Sequence, residues 1–223
     1  MSIILTDRKQ AGRALARKLD KYAGRPDCVV VGLPRGGVVV AAEIAAALHL
    51  PLDVCLVRKL GVPFQPELAM GAVASGGVRV LNEELIQRLK IKKWELDLES
   101  SAETAELNRR EETYRHGRPM LPVRDKTVIL ADDGVATGAT LEAAIDALKI
   151  QGAEAIIVAV GVAAPGAVYR LSPRVKDFLC VRNPDMLMAV ADWYADFHEV
   201  TDTEVCDLLA KVDDTAPIVP STP

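Results

Sequence analysis

Runs of apolar residues alternate along this chain with stretches in which apolar positions recur every three or four residues. Cys28 to Leu33 (CVVVGL), Leu52 to Val57, Val128 to Ala131, Ala155 to Val162 and Val175 to Val181 read as strands. Most are apolar on both faces, which calls for cover on both sides. Helical patterns lie between them. Thr6 is the expected N-cap of a helix with Ala11, Leu15 and Leu19 on one face, ending near Gly24. An alanine-rich helix is expected from about Val38 to Leu48. Leu141, Ala144, Ile145 and Leu148 carry another from about Ala139 to near Gly152, and Pro165-Gly166 opens a short one. Thr201-Asp202-Thr203-Glu204 has the spacing of a capping box for a last helix through Lys211. Strands alternating with helices predict an α/β fold with a doubly wound, mostly parallel sheet.

Two segments break the alternation. Leu60 to Gly77, with Gly61, Pro63, Pro66 and Gly71, reads as a loop leading into a strand at Met70 to Ala74. Gly76-Gly77 turns that strand into another at Val78 to Leu81, a hairpin attached to the parallel core. From Asn82 to Arg118 aliphatic residues thin out and charges crowd in. Leu85, Ile86 and Leu89 mark a short helix there, and Trp94, Leu98 and Leu107 a longer one. A helix this charged is expected to project from the core as a lid, an oligomer contact or a plain solvated surface. The expected organisation is one domain over residues 1–212. Its core covers about 25–82 and 119–182, a charged helical insertion about 83–118, and a small hood about 183–200 plus the C-terminal helix. The tail 213–223, with three prolines, is expected to be disordered.

Composition narrows the function. Half of the 223 residues are hydrophobic and 26% are charged, which suits a soluble globular protein, and the net charge of −4 offers nothing to a nucleic acid. No apolar run approaches the roughly 20 residues of a membrane span, and the N-terminus lacks the regions of a signal peptide, so a cytoplasmic location is expected. Cys28, Cys55, Cys180 and Cys206 form no C-x-x-C pair and are expected to be reduced. The three histidines have no ligand spacing, which argues against zinc.

The chemistry gathers at the end of the central strand. Val128 to Ala131 is followed by Asp132 and Asp133, then by Gly134-Val135-Ala136-Thr137-Gly138-Ala139-Thr140, where a helix begins. Open parallel sheets bind ligands at the carboxyl ends of their strands. Successive backbone N–H groups at a helix start bind phosphate. The loop is not a Walker A loop, because no Lys-Ser or Lys-Thr follows its glycine, and it is not a G-x-G-x-x-G fingerprint. A carboxylate pair accepts hydrogen bonds from vicinal hydroxyls or holds a hydrated Mg²⁺. The small-residue cradle donates N–H and threonine hydroxyl bonds. A ribose 5-phosphate carries both complements at matching separation. Two further turns carry cations. Pro34-Arg35-Gly36-Gly37 follows the first strand, as a plain βα turn or as a ligand loop with Arg35 facing the strand tip. Arg58-Lys59 follows Val57, as surface solubilisers or as a clamp for a polyphosphate.

Asp132 to Thr140 resembles the phosphoribosyl pyrophosphate (PRPP) signature of type I phosphoribosyltransferases. Pro34 to Gly37 is similar to the pyrophosphate loop of that family. Val57-Arg58-Lys59 resembles the strand end of its adenine and orotate members. Order and spacing match over roughly residues 28 to 182. Asp7-Arg8, Leu33 to Gly37, Val57 to Gly61 and Trp193-Tyr194-Ala195-Asp196-Phe197 resemble a bacterial subgroup whose members bear this family name provisionally and have no settled substrate. The resemblance implies transfer of ribose 5-phosphate from PRPP to a nitrogenous base with release of pyrophosphate, as part of nucleotide metabolism. It implies Mg²⁺ as cofactor, held by Asp132 and Asp133 through water. The loop Gly134 to Thr140 would hold the 5-phosphate, and the two aspartates the ribose hydroxyls. Pro34, Arg35, Gly36, Gly37, Arg58 and Lys59 would take the pyrophosphate. It further implies a cis peptide between Pro34 and Arg35, and a homodimer.

The acceptor stays open. The 6-oxopurine members carry aspartate at the position of Ala136, where it contacts purine N7, so alanine here speaks against hypoxanthine and guanine. Trp193, Tyr194 and Phe197 are either a stacking wall for a planar base or the core of the hood. Glu67 is a candidate acid/base group near a mobile loop. The alternative to an enzyme is a PRPP- or nucleotide-sensing regulator on the same fold.

Overall fold

Alternate residues of each central strand face two different cores, and this makes the sheet doubly wound. In the computed structural model, which describes residues 4–213, five parallel strands are ordered β2-β1-β6-β7-β8. They are β1 (Cys28–Gly32), β2 (Leu52–Val54), β6 (Thr127–Val135), β7 (Ala155–Ala163) and β8 (Asp177–Arg182). Val30, Ile129 and Ile157 point to one face, where Leu15 of α1 (Arg8–Lys18), Ile44 of α2 (Gly36–Leu48) and Val205 of α7 (Asp202–Asp213) cover them. Val29, Val128, Leu130 and Val158 point to the other, beneath Leu141, Ile145 and Leu148 of α5 (Ala139–Ile150) and Leu171 of α6 (Pro165–Leu171). Every residue of β1 is buried, as a strand covered on both faces requires. Each fully buried Val, Leu or Ile contributes about 1.5–3 kcal/mol before entropy is counted.

The first helix starts one residue later than expected. Asp7, not Thr6, is its N-cap, with Oδ1 accepting from the amide of Gln10 at 2.6 Å. A larger correction concerns the expected strand at Leu52 to Val57. It divides: β2 ends at Val54, and β3 (Val57–Val62) opens a second sheet, β3-β4-β5, with β4 (Gln65–Ala74) and β5 (Val78–Leu81). Asp53 lies beside this division: its carboxylate accepts from the amides of Val54 and Leu121 and from Arg115 Nε, at 2.7, 2.7 and 2.9 Å. Arg58 and Lys59 therefore stand inside an antiparallel ladder, opposite Val73 and Ala72, rather than at a strand end. The expected loop from Leu60 to Met70 is also strand. Its turn is made by Pro63 and Phe64, the latter at φ 66°, and a register shift at Gly61 absorbs the glycine. Pro66 is tolerated because β5 pairs only with Gly71 to Ala74, which leaves the far end of β4 with an open edge.

The charged insertion forms α3 (Glu83–Leu89) and α4 (Lys93–Arg115). Trp94 and Leu98 are exposed, but the C-terminal half of α4 is anchored rather than projecting. Leu107 and Tyr114 are buried in the core. Arg115 Nη2 donates to Val54 O at 2.7 Å, and Tyr114 Oη to Asp202 Oδ1 at 2.6 Å. All four cysteines are free. No helix among the described residues is long and apolar enough to cross a membrane. The expected disordered tail lies outside the described residues, apart from Asp213 at the end of α7.

The hood is built from both ends of the chain. Leu5 pairs with Tyr194 in a parallel bridge, with Leu5 N donating to Trp193 O and Ala195 N to Leu5 O, both at 2.8 Å. This segment lies on two glycines near the carboxyl ends of β6 and β7. A Cβ on Gly134 would stand 2.3 Å from Val190 Cγ1, and one on Gly161 would stand 1.8 Å from Tyr194 Oη. Gly161→Ala is therefore expected to lift Tyr194 and cost about 1–3 kcal/mol by overpacking. Gly166→Ala, where a Cβ meets nothing within 4 Å, is the matched control. Urea unfolding of both variants checks this, and equal stabilities would refute the seating of the hood on Gly161.

Candidate functional site

The chain leaves β1 through α2 to β2 on one side of the sheet, while β6 pairs with β1 on the other. The gap between β1 and β6 is thus a topological switch point, where open α/β sheets form ligand crevices. Both expected loops meet there. Ideal Cβ atoms on Gly37 would come within 2.8 Å of Asp132 Oδ1, and on Gly36 within 1.9 Å of Asp133 Oδ2. The glycine loop after β1 therefore packs directly on the acidic tip of β6, an approach that any side chain would block. The Pro34–Arg35 peptide entering it is cis. Arg35 is partly exposed and pairs with Glu199 of the hood at 2.5 Å.

The two aspartates differ. Asp132 Oδ1 accepts from the amide of Asp133 at 2.8 Å, and the residue has no cation partner among the described residues. Burial, and then the charge of Asp133, push its pKa well above the ordinary carboxylate value. Asp133 Oδ2 instead accepts from Arg8 Nε at 2.7 Å. Arg8 Nη1 also donates to His198 O at 2.9 Å, and its guanidinium lies 3.8 Å above the ring of Phe197. Tyr194 donates its hydroxyl to the carbonyl of Asp133 at 2.6 Å, and burial raises its pKa. The rings of Tyr194 and Phe197 lie 5.1 Å apart.

Past Val135 the chain turns through Ala136 and Thr137 to Gly138, which sits at φ 78° as the N-cap of α5. No side chain caps this helix start. Ala136, Thr137, Ala139 and Thr140 are exposed, so the first-turn amides are open to an anion. Arg170 donates to the carbonyl of Thr137. A cavity of about 580 Å³ beside this loop is lined by Lys59, Ala139, Thr140 and Arg174.

The structure thus brings Pro34, Arg35, Gly36, Gly37, Asp132 and Asp133 together, and sets Lys59 in one cavity with Thr140. Arg58 is turned elsewhere: its Nε pairs with Glu103 of α4 at 2.6 Å. Glu67 falls within β4, and its side chain lies outside the described residues. Of the two readings of the aromatic cluster, the packing agrees with the hood core. Tyr194 is buried, and Trp193 and Phe197 pack against the core cluster. Arg8, which entered the sequence analysis only through the Asp7-Arg8 resemblance and with no role in the site, is held at the acidic tip. A signal was available, because a cation in the first turn of a helix opposes the helix dipole and calls for a carboxylate partner.

Among the described residues no group of three or more His, Cys, Asp or Glu side chains could hold a metal ion. The donor set at the acidic tip, hard oxygens and few of them, fits Mg²⁺ that keeps water and takes its other ligands from a bound phosphate compound.

Residues 65–198 match the family model described as phosphoribosyl transferase domain. A protein provisionally named phosphoribosyl transferase, from two strains of Mycobacterium tuberculosis, is 41% identical over 208 residues. The match covers 93% of this chain and 47% of that protein, so the chain spans about half the length of the curated relatives it matches. A crystal structure of a Thermus thermophilus protein is 42% identical, with a TM-score of 0.84 over 93% of this chain and 98% of that one.

The raised pKa of Asp132 has a consequence for stability. In the folded chain this carboxyl keeps its proton above about pH 4, where the unfolded chain loses it. Stability is therefore highest below about pH 4 on this account, and falls as pH rises through the raised value. Asp132→Asn is expected to match the wild type at the acid end and to gain on it as pH rises. Urea unfolding across a pH series without Mg²⁺ measures this, and an advantage independent of pH would contradict it.

Proposed function

The chain belongs to the phosphoribosyl transferase family, and on that premise we propose that it transfers ribose 5-phosphate from PRPP to a nitrogenous base and releases pyrophosphate. The observation that carries this reading is the contact between the glycine loop and the acidic tip across the β1–β6 gap, next to an uncapped helix start. The loop Gly134 to Thr140 takes the 5-phosphate on backbone amides and threonine hydroxyls. Asp132 accepts from the ribose hydroxyls. Arg35, the Gly36 and Gly37 amides and Lys59 take the pyrophosphate, with Arg58 as a further cation once Glu103 releases it.

A nitrogen lone pair on the acceptor attacks C1 of the ribose as the C1–O bond to pyrophosphate breaks, through an oxocarbenium-like transition state. The bonding pair leaves with the pyrophosphate oxygen, where fixed cations and amides stabilise the developing charge. The protein's part is positioning and electrostatics. Asp132 and Asp133 are the residues that would hold Mg²⁺, which would supply further neutralisation of the pyrophosphate. Alanine at position 136 leaves the acceptor without the carboxylate that a 6-oxopurine partner would use.

Titration calorimetry with PRPP and Mg²⁺ is expected to show binding by the wild type. Asp132→Asn is expected to weaken it by roughly tenfold or more, about 1.4 kcal/mol. A panel of purine and pyrimidine bases, read by pyrophosphate release, then identifies the acceptor. Absence of PRPP binding would overturn the reading. Binding without release to any base would favour a sensor on the same fold.

A further inference from the structure

The two aspartates of the acidic tip stand side by side in sequence but in different electrostatic settings. Asp133 is spoken for: Arg8 Nε meets its carboxylate at 2.7 Å, and the two side chains are only 8% and 16% exposed. The guanidinium cannot easily leave, because it is also held by His198 O at 2.9 Å and stacked 3.8 Å above Phe197. The backbone of Asp133 is fixed as well, through its carbonyl to Tyr194 Oη at 2.6 Å. Its carboxylate oxygen rests against Gly36, the loop proposed above to hold pyrophosphate. An unpaired negative charge in that place would repel the ligand. Asp132 has no cation partner among the described residues and accepts only from the neighbouring amide.

We infer that the pair divides its work: Asp132 is the carboxylate offered to the ligand, and Arg8 is a positioning residue that neutralises Asp133 and locks it into the wall beside the pyrophosphate loop. This rests on the proposed reading of the site as a PRPP site. It differs from an arrangement in which both carboxylates grip the ribose. It also explains why an arginine stands in the first turn of α1, where the helix dipole alone would favour an acid.

A charge-removal cycle tests it, with PRPP and Mg²⁺ affinity measured by calorimetry and thermal midpoints followed in parallel. Arg8→Met exposes the pyrophosphate to the bare charge of Asp133, and is expected to weaken binding by roughly tenfold or more. Adding Asp133→Asn removes that charge, and the double variant is expected to regain most of the lost affinity. Arg8→Lys keeps the charge and is expected to bind better than Arg8→Met, so it carries the test if the methionine variant does not fold. A double variant as weak as Arg8→Met would show that the ligand uses Asp133 directly, and would overturn the inference. Wild-type affinity in Arg8→Met with a lowered thermal midpoint would overturn it too, by confining Arg8 to stability. Failure of the wild type itself to bind PRPP would remove the reading of the site, and the inference with it.

Discussion

A carboxylate stripped of most of its water must be met by a cation, by hydrogen-bond donors or by a proton. At the end of β6 this requirement applies twice in succession. Asp133 is met by Arg8, which belongs to the first turn of α1. Asp132 is met by one backbone amide, and its affinity for a proton rises. The first solution ties the N-terminal helix, the central strand and the hood together, because Arg8 also holds His198 and Phe197. The second leaves a carboxyl without a cation partner among the described residues, beside Gly37 of the glycine loop. Ligand sites commonly keep such a group at some expense to the fold.

The same rule applies at β2, the edge strand beside β1. Asp53 is buried, and it is met by Arg115 from the end of α4 and by two amides. It stands next to the end of the parallel strand, just before the chain passes into a second sheet. It also pins a helix that is otherwise highly charged. Tyr114, one residue earlier, bonds Asp202 at the first residue of α7. Buried pairs of this kind contribute little net stability, but removing one partner is costly. Here they tie α4 to β2 and to α7.

Much of this architecture was legible in the sequence. Unbroken apolar runs such as CVVVGL report strands covered on both faces, and all five parallel strands begin within a few residues of their expected places. The meeting of the glycine loop with the acidic tip follows from their positions at the ends of two strands. The split of residues 52–62 was not legible, because the apolar run continues through Cys55 and Leu56 into Val57 and the partner of Asp53, Arg115, lies 62 residues away. Gly61, Pro63 and Pro66 read locally as loop formers, yet a bulge, a turn and an open edge accommodate each of them within one hairpin. Arg8 was hidden for the same reason as Arg115. Its partner is 125 positions distant, and spacing rules see only neighbours. The aromatic cluster near the C-terminus was visible as a cluster, but aromatic content alone does not distinguish a stacking wall from packing.

The bridge between Leu5 and Tyr194 bears on the order in which the molecule can be completed during synthesis. The segment around Leu5 is synthesised well before its partner around Tyr194, because most of the sheet lies between them in the chain. Until then Gly134 and Gly161 lie bare and Arg8 lacks its carbonyl and aromatic support. The sheet can assemble before that moment, but the wall of the crevice cannot. A nascent chain would therefore complete its parallel strands before it could acquire a ligand.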